Sequence, residues 1–496
     1  MATNGSYFDF VINHDVYVLA IEAGVNNLYD IKAITTPSLA MDHNGSISHR
    51  YRGYKTTLVN RDGFERVETP DTRAIVLGGS VNHFAWTPGC KVTFDAWGEY
   101  GGKDRTWNSL LPYLRKSATY HDDGGLHPAE LRKIGPGSGP THISHAEALD
   151  DLQPLRNVLT NAHIYDGEMN GLTHCVDTVY NGQRHGSWLF VKDKPNVTIL
   201  PLARSKNLII DETERVCKGV SVCLPFREER EFYTRREVIL SEGVFGTPKL
   251  LMLSGICPAA KLAKHGITKL VDLSTMDDYI LRKGPRHDAA VATYKQSRIG
   301  PVVSNAAYRK AKTERGGQDS IAPYGQLHLE LDFIALFGDA FQWYASPPTE
   351  GNYFTVVVDL VRPVSEPGCV TLESADPLAH PRISADFFAD SEAFKDLVVA
   401  EYPPQTKMPL GSDEETRRAI LERCQTSFHP VGRRRCRGVL LVDPKFKFMG
   451  LESACGQLEF IPVIPDCRIQ DSVYMVWERC ADLVKEAHGD LYYGLS

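Results

Sequence analysis

Two apolar segments lie almost end to end at the start of the chain, and the gap between them limits how they can pair. Residues 8–12 (FDFVI) and 16–21 (VYVLAI) have the composition of buried strands, and only Asn13, His14 and Asp15 separate them. Neighbouring parallel strands need a crossover of a dozen or more residues, usually a helix. The sequence therefore predicts two strands of an α/β unit that lacks its normal connection.

Glu22 follows the second strand and is itself followed by Ala23 and Gly24. At this position a Rossmann unit has an acidic residue that holds the hydroxyl groups of an adenosine ribose. An exposed carboxylate at the end of a strand is the alternative interpretation. The glycine-rich G-x-G-x-x-G turn is absent, and with it the amides and helix dipole that neutralise a pyrophosphate.

Three later segments have helical patterns. Amphipathic spacing predicts one helix over residues 106–120 and another over residues 472–490. A third begins near Pro248 and ends at Gly255, which is a typical helix stop. The Gly-, Pro- and His-rich residues 122–150 predict a loop.

Strand patterns fill much of the remaining chain. Residues 194–210, 219–226 and 231–243 predict a β-meander. From residue 326, alternation of apolar and polar residues predicts an antiparallel sheet that lines a substrate pocket. The fold class expected from these patterns is α/β, or mixed α+β.

Composition excludes several classes of function. The chain has 496 residues and a net charge of −7, which gives no electrostatic footprint for nucleic acid and no polybasic membrane patch. No apolar run approaches the roughly 20 residues that span a bilayer. The eleven cysteines form no CxxC pair and no metal-like spacing. We therefore expect a soluble cytoplasmic enzyme with reduced thiols and no metal.

Seven groups of motifs occur in a fixed order along most of the chain. They are residues 22–24, 77–82, 107–113, 195–198, 237–243, 247–256, and a closing group at 429–430, 442–444 and 474–482. This order resembles the glucose–methanol–choline (GMC) family of FAD-dependent oxidoreductases. Residues 121–130 and 467–470 further resemble a branch found in fungal secondary-metabolite pathways.

The resemblance implies a domain organisation and a cofactor. It implies a truncated, Rossmann-like FAD-binding domain over residues 1–275 and an antiparallel-sheet substrate region over 276–420. Residues 421–496 would then return to the FAD domain. The implied reaction transfers a hydride from a small-molecule alcohol to flavin N5.

The resemblance also implies cofactor-binding residues. Besides Glu22 on the ribose, it implies a flavin-facing turn of small residues whose backbone amides approach the cofactor. An ordinary tight turn is the alternative. It further implies that the backbone of one strand residue contacts the adenine. The alternative is an ordinary strand residue, which would look identical in the sequence. The turn residues are Gly78, Gly79, Ser80 and Asn82, and the adenine contact is Val197.

Two residues occupy the family's catalytic positions. His429 stands where the family has a base that removes the hydroxyl proton, a role suited to imidazole. A hydrogen-bonded histidine in a turn is the alternative. Arg468 stands where many relatives have His or Asn. Arginine cannot act as a base, but it can hold a carboxylate or a developing alkoxide, which favours an acidic or phenolic substrate.

Three functions are compatible with this sequence. The first is an FAD-dependent alcohol oxidase or dehydrogenase in secondary metabolism. The second is a degenerate homologue that does not retain FAD, whether a relic, a binding protein or a mis-predicted gene product. The third is flavin-independent chemistry, such as a lyase or cyclase reaction in the same pocket. The missing pyrophosphate-binding turn is the feature that distinguishes the first function from the second, since the second is a chain that cannot hold FAD.

Two segments depart from the family pattern in a way that one cause explains. "GRRRCR" at 432–437 follows the His-Pro motif, and "ESACGQLEF" at 452–460 replaces a family strand that meets the flavin. Both can be encoded so that a shifted reading frame restores the family residues; the first then reads Gly-Thr-Ala-Ala-Met-Ser. We interpret them as frame-shifted segments. A divergent loop selected for an anionic partner is the alternative.

This interpretation predicts the codons of the gene. Genomic DNA should carry codons at 432–437 and 452–460 that restore the family motifs when a single base is added or removed. Sequencing the gene and its transcript tests this directly. Codons incompatible with both shifts would exclude the frame explanation and leave the divergent loop.

Overall fold

The fold is taken from a computed structural model. It describes residues 3–9, 17–26, 32–37, 51–61, 63–79, 85–122, 137–145, 166–168, 176–271, 329–334, 355–360 and 368–387. Beyond these it describes residues 414–415, 418, 421, 424, 426, 435–436, 439–440, 454–456, 461, 464–465 and 469–489.

Strands and helices alternate irregularly along the chain. The strands are β1 Tyr7–Phe8, β2 Val18–Ile21, β3 Tyr51–Arg61, β4 Phe64–Ala74, β5 Ala85–Trp86, β6 Ala118–His121, β7 Thr141–His145, β8 Val176–Asp177, β9 Val179–Tyr180, β10 Gln183–Arg184, β11 Val197–Leu200, β12 Arg204–Asp211, β13 Val216–Cys223, β14 Glu229–Thr234, β15 Val238–Leu240, β16 Leu329–Ile334, β17 Thr355–Leu360, β18 Cys369–Thr371, β19 Arg382–Ser384, β20 Arg435–Cys436, β21 Val439–Leu440 and β22 Ala454–Gly456. The α-helices are α1 Lys32–Thr35, α2 Lys91–Gly101, α3 Trp107–Ser117, α4 Gly243–Leu253, α5 Ala259–Ala263 and α6 Gln470–Ala487. Short 3₁₀ turns cover Lys103–Arg105, Ser187–Phe190 and Pro225–Arg227.

Parallel pairs and antiparallel sheets coexist, so the mixed fold class predicted from the sequence is confirmed. β2 pairs in parallel with β11, and β15 pairs in parallel with β22. The second pair joins residues 238–240 to residues 454–456, within the segment 452–460 that departs from the family pattern. β12, β13 and β14 form the predicted antiparallel meander, and β1 adds to its edge in parallel with β14.

The two N-terminal strands are held to each other directly. The Asp9 N–H donates to the Tyr17 carbonyl at 2.9 Å, and the Tyr17 N–H donates to an Asp9 carboxylate oxygen at 3.2 Å. The connection between these residues is too short for the crossover helix of a Rossmann unit. Of the strand predicted over residues 8–12, Phe8 lies in β1, and residues 10–12 lie outside the described residues.

The predicted antiparallel sheet after residue 326 is divided between two sheets. β16 and β17 pair with each other. β18 and β19 instead join the long β3–β4 hairpin, where Ile383 pairs with Thr56. The hairpin was not predicted, and it brings residues 51–74 into the same sheet as residues 369–384.

The helix predicted over residues 106–120 is too long, and the loop predicted over 122–150 contains a strand. α3 ends at Ser117, and residues 118–121 form β6, which pairs in parallel with β7. In β7 the side chains of Thr141, Ile143 and His145 are buried in alternation. Only one of these three is strongly apolar, which is why the hydrophobic pattern did not reveal the strand.

The largest core cluster forms where α6 packs against α3. Leu110 and Leu114 of α3 and Met475 and Cys480 of α6 are buried in it. Each fully buried leucine contributes about 1.5–3 kcal/mol. At the edge, Lys116 contacts the Glu478 carboxylate at 2.8 Å. No helix in the ranges given above is long and apolar enough to cross a membrane.

α4 ends as the sequence predicts. Gly255 has a φ of +78°, its N–H donates to the Met252 carbonyl, and the Ile256 N–H donates to the Leu251 carbonyl at 2.9 Å. These two bonds define a Schellman end, which favours glycine at this position. A Cβ on Gly255 would lie 2.5 Å from the Thr268 carbonyl oxygen.

The substitution Gly255→Ala should therefore destabilise the protein by about 2–4 kcal/mol, since it adds overpacking to left-handed backbone strain. Denaturant unfolding measures the change. Gly266→Ala is the matched control: its φ is +65°, but no atom lies within 4 Å of the added Cβ, so we expect a loss of only about 1 kcal/mol. Equal losses at the two positions would contradict the packing argument.

Candidate functional site

Glu22 lies at the carboxyl end of β2, the end at which α/β sheets bind ligands. Its N–H donates to the Leu200 carbonyl at 3.0 Å, and its carbonyl accepts from the Ala203 N–H at 2.9 Å. The Gly24 N–H donates to the Glu22 carboxylate at 2.6 Å. The carboxylate is thus folded over its own turn in a fixed position.

Gly24 brings a second segment against this strand end. Val25 and Val76 form a parallel bridge, and the Leu77 N–H donates to the Val25 carbonyl at 3.1 Å. A Cβ on Gly24 would lie 1.5 Å from the Ile75 carbonyl oxygen, so only glycine fits here. The glycine turn that follows Leu77 therefore begins beside the Glu22 strand end.

The two turn glycines face different surroundings. Gly78 has a φ of +91°, and a Cβ on it would lie 2.6 Å from the Ser187 Oγ and 2.8 Å from the Trp188 nitrogen. The Ser187 hydroxyl donates to the Gly78 carbonyl. Gly79 has a φ of +73°, and among the residues that the structure describes no atom lies within 4 Å of an added Cβ. Its backbone therefore has open space of the kind that a bound cofactor needs.

Val197 lies at the other end of the parallel pair. It pairs with Val18, whereas Glu22 follows Ile21, which pairs with Leu200. Val18 and Glu22 are four residues apart along the chain, so Val197 lies about 13 Å from the Glu22 end. The residues that do meet the Glu22 end are Leu202 and Ala203, and Leu202 has a positive φ and an exposed fraction of 49%. The structure thus places the strand end that carries Glu22 beside the segment that leads into Gly78 and Gly79, and it places Val197 at the opposite end of the strand pair.

Four predicted site residues lie outside the described residues. They are Ser80, Asn82, His429 and Arg468. The nearest described neighbours of Arg468 are Ile469 and α6, which begins at Gln470.

The first turns of α6 reach the 3₁₀ turn Ser187–Phe190 through the Tyr474 ring. The Gln470 amide donates to the Tyr474 hydroxyl at 3.5 Å, and burial raises the pKa of this hydroxyl. Its ring lies 5.3 Å from the Trp86 ring and 5.7 Å from the Phe190 ring, measured between centroids. The C-terminal helix is thereby tied to the segment that supports Gly78.

A histidine cluster that the sequence analysis missed lies on the neighbouring sheet. His121 Nε2 is 2.6 Å from His142 Nδ1, and the His142 backbone N–H donates to His185 Nδ1 at 3.2 Å. The His121 ring stacks on Tyr180 at 3.6 Å between centroids. The three histidines come from β6, β7 and the end of β10. Because they are far apart in the sequence, no local motif predicts the cluster.

Burial, together with repulsion from neighbouring histidines, favours the neutral form of His142 and His185. These two effects lower the pKa of His185 to about 4 and also lower the pKa of His142. Among the residues that the structure describes, no group of three or more His, Cys, Asp or Glu side chains could hold a metal ion.

A family model described as GMC oxidoreductase matches residues 65–272. Choline oxidase from Arthrobacter globiformis is 26% identical over 469 residues, covering 84% of this chain and 81% of the relative. Patulin synthase from Aspergillus clavatus is 23% identical over 497 residues, covering 82% of this chain and 77% of the relative.

The solved structures give a closer likeness. A crystal structure of formate oxidase is 48% identical, with a TM-score of 0.83, and the match covers 99% of this chain and 100% of that one. A variant of the Aspergillus oryzae RIB40 formate oxidase, solved to study the effect of an arginine substitution on FAD modification, matches with 47% identity and a TM-score of 0.84.

The histidine cluster predicts a loss of stability in acid. The folded-state pKa of His185 lies below its ordinary value of 6.5, so the unfolded chain binds more protons between pH 6.5 and about 4. The stabilising contribution is complete above pH 6.5 and is lost as the pH falls toward 4. We expect about 1–2 kcal/mol from this residue after allowing for solvent screening.

Urea unfolding at pH 7 and pH 4.5 measures the effect, with His185→Gln as the comparison. The variant should lose less stability than the parent between the two pH values. An identical pH dependence in both proteins would show that His185 does not contribute.

Proposed function

Because this chain belongs to the GMC oxidoreductase family, whose members are FAD-dependent oxidoreductases acting on alcohol-like substrates, we propose that it binds FAD and oxidises formate. The observation that carries the substrate is the 48% identity to formate oxidase over the whole length of both chains. Arg468, where many relatives have His or Asn, suits the same substrate, since its guanidinium pairs with a carboxylate through two hydrogen bonds.

The described residues fit FAD at two places. Glu22 would hold the ribose hydroxyls at the end of β2, and the open backbone of Gly79 would admit the flavin end. The sequence between Asp9 and Tyr17 contains no G-x-G-x-x-G motif and is too short for a crossover helix, whose N-terminus would bind the pyrophosphate. Retention of the cofactor therefore depends on the ribose contact and on the glycine turn more than it does in a complete Rossmann unit.

FAD, when bound, supplies a hydride acceptor. Formate at neutral pH has no hydroxyl proton, and loss of its C–H hydride gives carbon dioxide directly. The chain then needs a cation that holds and orients the carboxylate, which is the role we assign to Arg468. It does not need a base.

An alcohol makes the opposite demand on the same pocket. Its hydroxyl proton must leave as the hydride does, and His429 is the residue that would accept it. The likeness to patulin synthase and choline oxidase supports this second candidate, an alcohol oxidase or dehydrogenase, and the patulin synthase match supports a role in secondary metabolism. The substrate would lie between residues 276–420 and 421–496, with residues 1–275 holding the cofactor.

We expect the purified protein to keep flavin absorption bands through desalting and to bleach them on anaerobic addition of formate. Arg468→Ala should lower kcat/KM for formate about 30- to 1,000-fold, the effect of removing one partner of a buried charge pair. His429→Asn should leave formate oxidation within a few-fold of the parent, because no proton has to be removed from the substrate.

The outcomes separate the candidates. Oxidation of benzyl alcohol that requires His429, without turnover of formate, would replace the formate proposal with the alcohol candidate. A protein that never retains FAD would overturn both and favour the degenerate homologue.

A further inference from the structure

Two charged side chains of the β3–β4 hairpin hold the start of the region 421–496. The Arg66 Nε–H donates to the Cys424 carbonyl at 3.4 Å, and the Thr426 N–H donates to a Glu68 carboxylate oxygen at 3.3 Å. Side chains two residues apart on a strand point to the same face. The donor and the acceptor on β4 therefore match a carbonyl and an N–H that are also two residues apart.

The carboxylate of Glu68 makes this contact firm because it is buried. Glu68 is only 4% exposed. A buried charge is costly unless hydrogen bonds satisfy it, and the Thr426 N–H is a donor that reaches this carboxylate. A hydrogen bond to a charged acceptor is also stronger than one between neutral groups. The backbone at Thr426 is therefore fixed to β4.

Apolar packing supports the same contact from β3. Leu58 and Val59 are fully buried, and Leu421 and Cys424 pack against them. The Cys424 thiol also donates to the Leu421 carbonyl at 3.5 Å. The start of the region 421–496 thus contacts both strands of the hairpin, β3 through apolar packing and β4 through hydrogen bonds.

The hairpin holds residues of the region 276–420 as well. The Phe387 N–H donates to the Leu58 carbonyl at 2.7 Å, and the Ala385 N–H donates to the Thr57 carbonyl at 2.8 Å. One hairpin of the proposed cofactor module therefore contacts both of the regions between which the substrate would lie.

We propose that Arg66 and Glu68 are positioning residues that set the place of the His429-Pro430 motif as one wall of the substrate site. This inference rests on the proposed function. His429 follows Thr426 by three residues, and three residues of chain span at most about 11 Å, so a displacement at Thr426 reaches the motif directly. Neither Arg66 nor Glu68 would touch the reacting atoms.

The first test measures how firmly the segment is held, with the Cys424 thiol as the reporter. Burial raises the pKa of this thiol to about 11, and only the thiolate reacts with iodoacetamide. Glu68→Leu removes the acceptor of the Thr426 N–H. Alkylation of Cys424 at pH 8, followed by mass spectrometry, should then be about tenfold faster than in the parent, the effect of losing one buried hydrogen bond. An unchanged rate would overturn the proposal.

Two control variants separate the hydrogen bond from other effects of the substitution. Glu68→Gln removes the charge but keeps an acceptor oxygen, so its alkylation rate should stay within about threefold of the parent. Glu65→Leu changes an exposed residue of the same strand, and its rate should stay within about twofold. A rate in either control that equals the rate in Glu68→Leu would overturn the proposal.

Arg66→Met gives an independent measurement that does not require the Glu68 variants to fold. The charge of Arg66 lowers the pKa of the Cys424 thiol, so its loss alone would slow alkylation. Release of the carbonyl at Cys424 acts in the opposite direction, and we expect a net rate about threefold faster than in the parent. A slower or unchanged rate would overturn the role of Arg66.

Steady-state kinetics of the FAD-loaded protein test the positioning role. Glu68→Leu should lower kcat/KM about tenfold for whichever of formate and benzyl alcohol the parent oxidises, and Glu68→Gln should stay within about threefold of the parent. The affinity for FAD should change less than about twofold, because Glu22 and the glycine turn would hold the cofactor. Faster alkylation with unchanged kinetics would overturn the positioning role.

The two measurements also separate this proposal from the proposed function. If the parent protein retains no FAD, or oxidises neither formate nor benzyl alcohol, the proposed function fails. The alkylation rates of Cys424 then still decide whether Arg66 and Glu68 hold the start of the region 421–496.

Discussion

The contact between Gly24 and the Ile75 carbonyl is the constraint on which the rest of the candidate site depends. A side chain at Gly24 would occupy the position of that carbonyl. Without one, residues 24–25 lie directly against residues 75–76, and the two segments form a parallel bridge. The strand end that carries Glu22 and the glycine turn consequently share one edge. The ribose end and the flavin end of the proposed cofactor are thereby related through the backbone alone.

The 3₁₀ turn Ser187–Phe190 then supports this edge from the opposite side. The Ser187 hydroxyl donates to the Gly78 carbonyl, and the Tyr474 ring packs against Phe190. The packing of α6 on α3 holds Tyr474 in place through the large core cluster. The geometry of the turn is therefore determined by core packing as well as by local backbone preference. This arrangement suits a chain whose N-terminal connection is too short to supply the usual pyrophosphate contact.

Local signals in the sequence predicted what local interactions determine. Gly255 predicted the end of α4, because a Schellman end needs a residue with a positive φ. The strand end before Glu22 and the turn at Gly78 were predicted because strand ends and tight turns have characteristic residues. Register and distant contacts left no such signal. The position of Val197 depends on its pairing with Val18, and the histidine cluster unites residues from β6, β7 and β10. β7 was missed because its buried positions include Thr141 and His145.

The packing of α6 on α3 also governs when this protein can fold. Tyr113 of α3 and Arg479 of α6 are bonded across 366 positions in the chain. At synthesis rates of 5–20 residues per second, α3 leaves the ribosome roughly 20–70 s before its partner helix exists. During that interval the apolar face of α3 lacks the cover that α6 provides, and β15 lacks its neighbour β22. Apolar surface and strand edges exposed in this way favour aggregation of the nascent chain until translation is nearly complete.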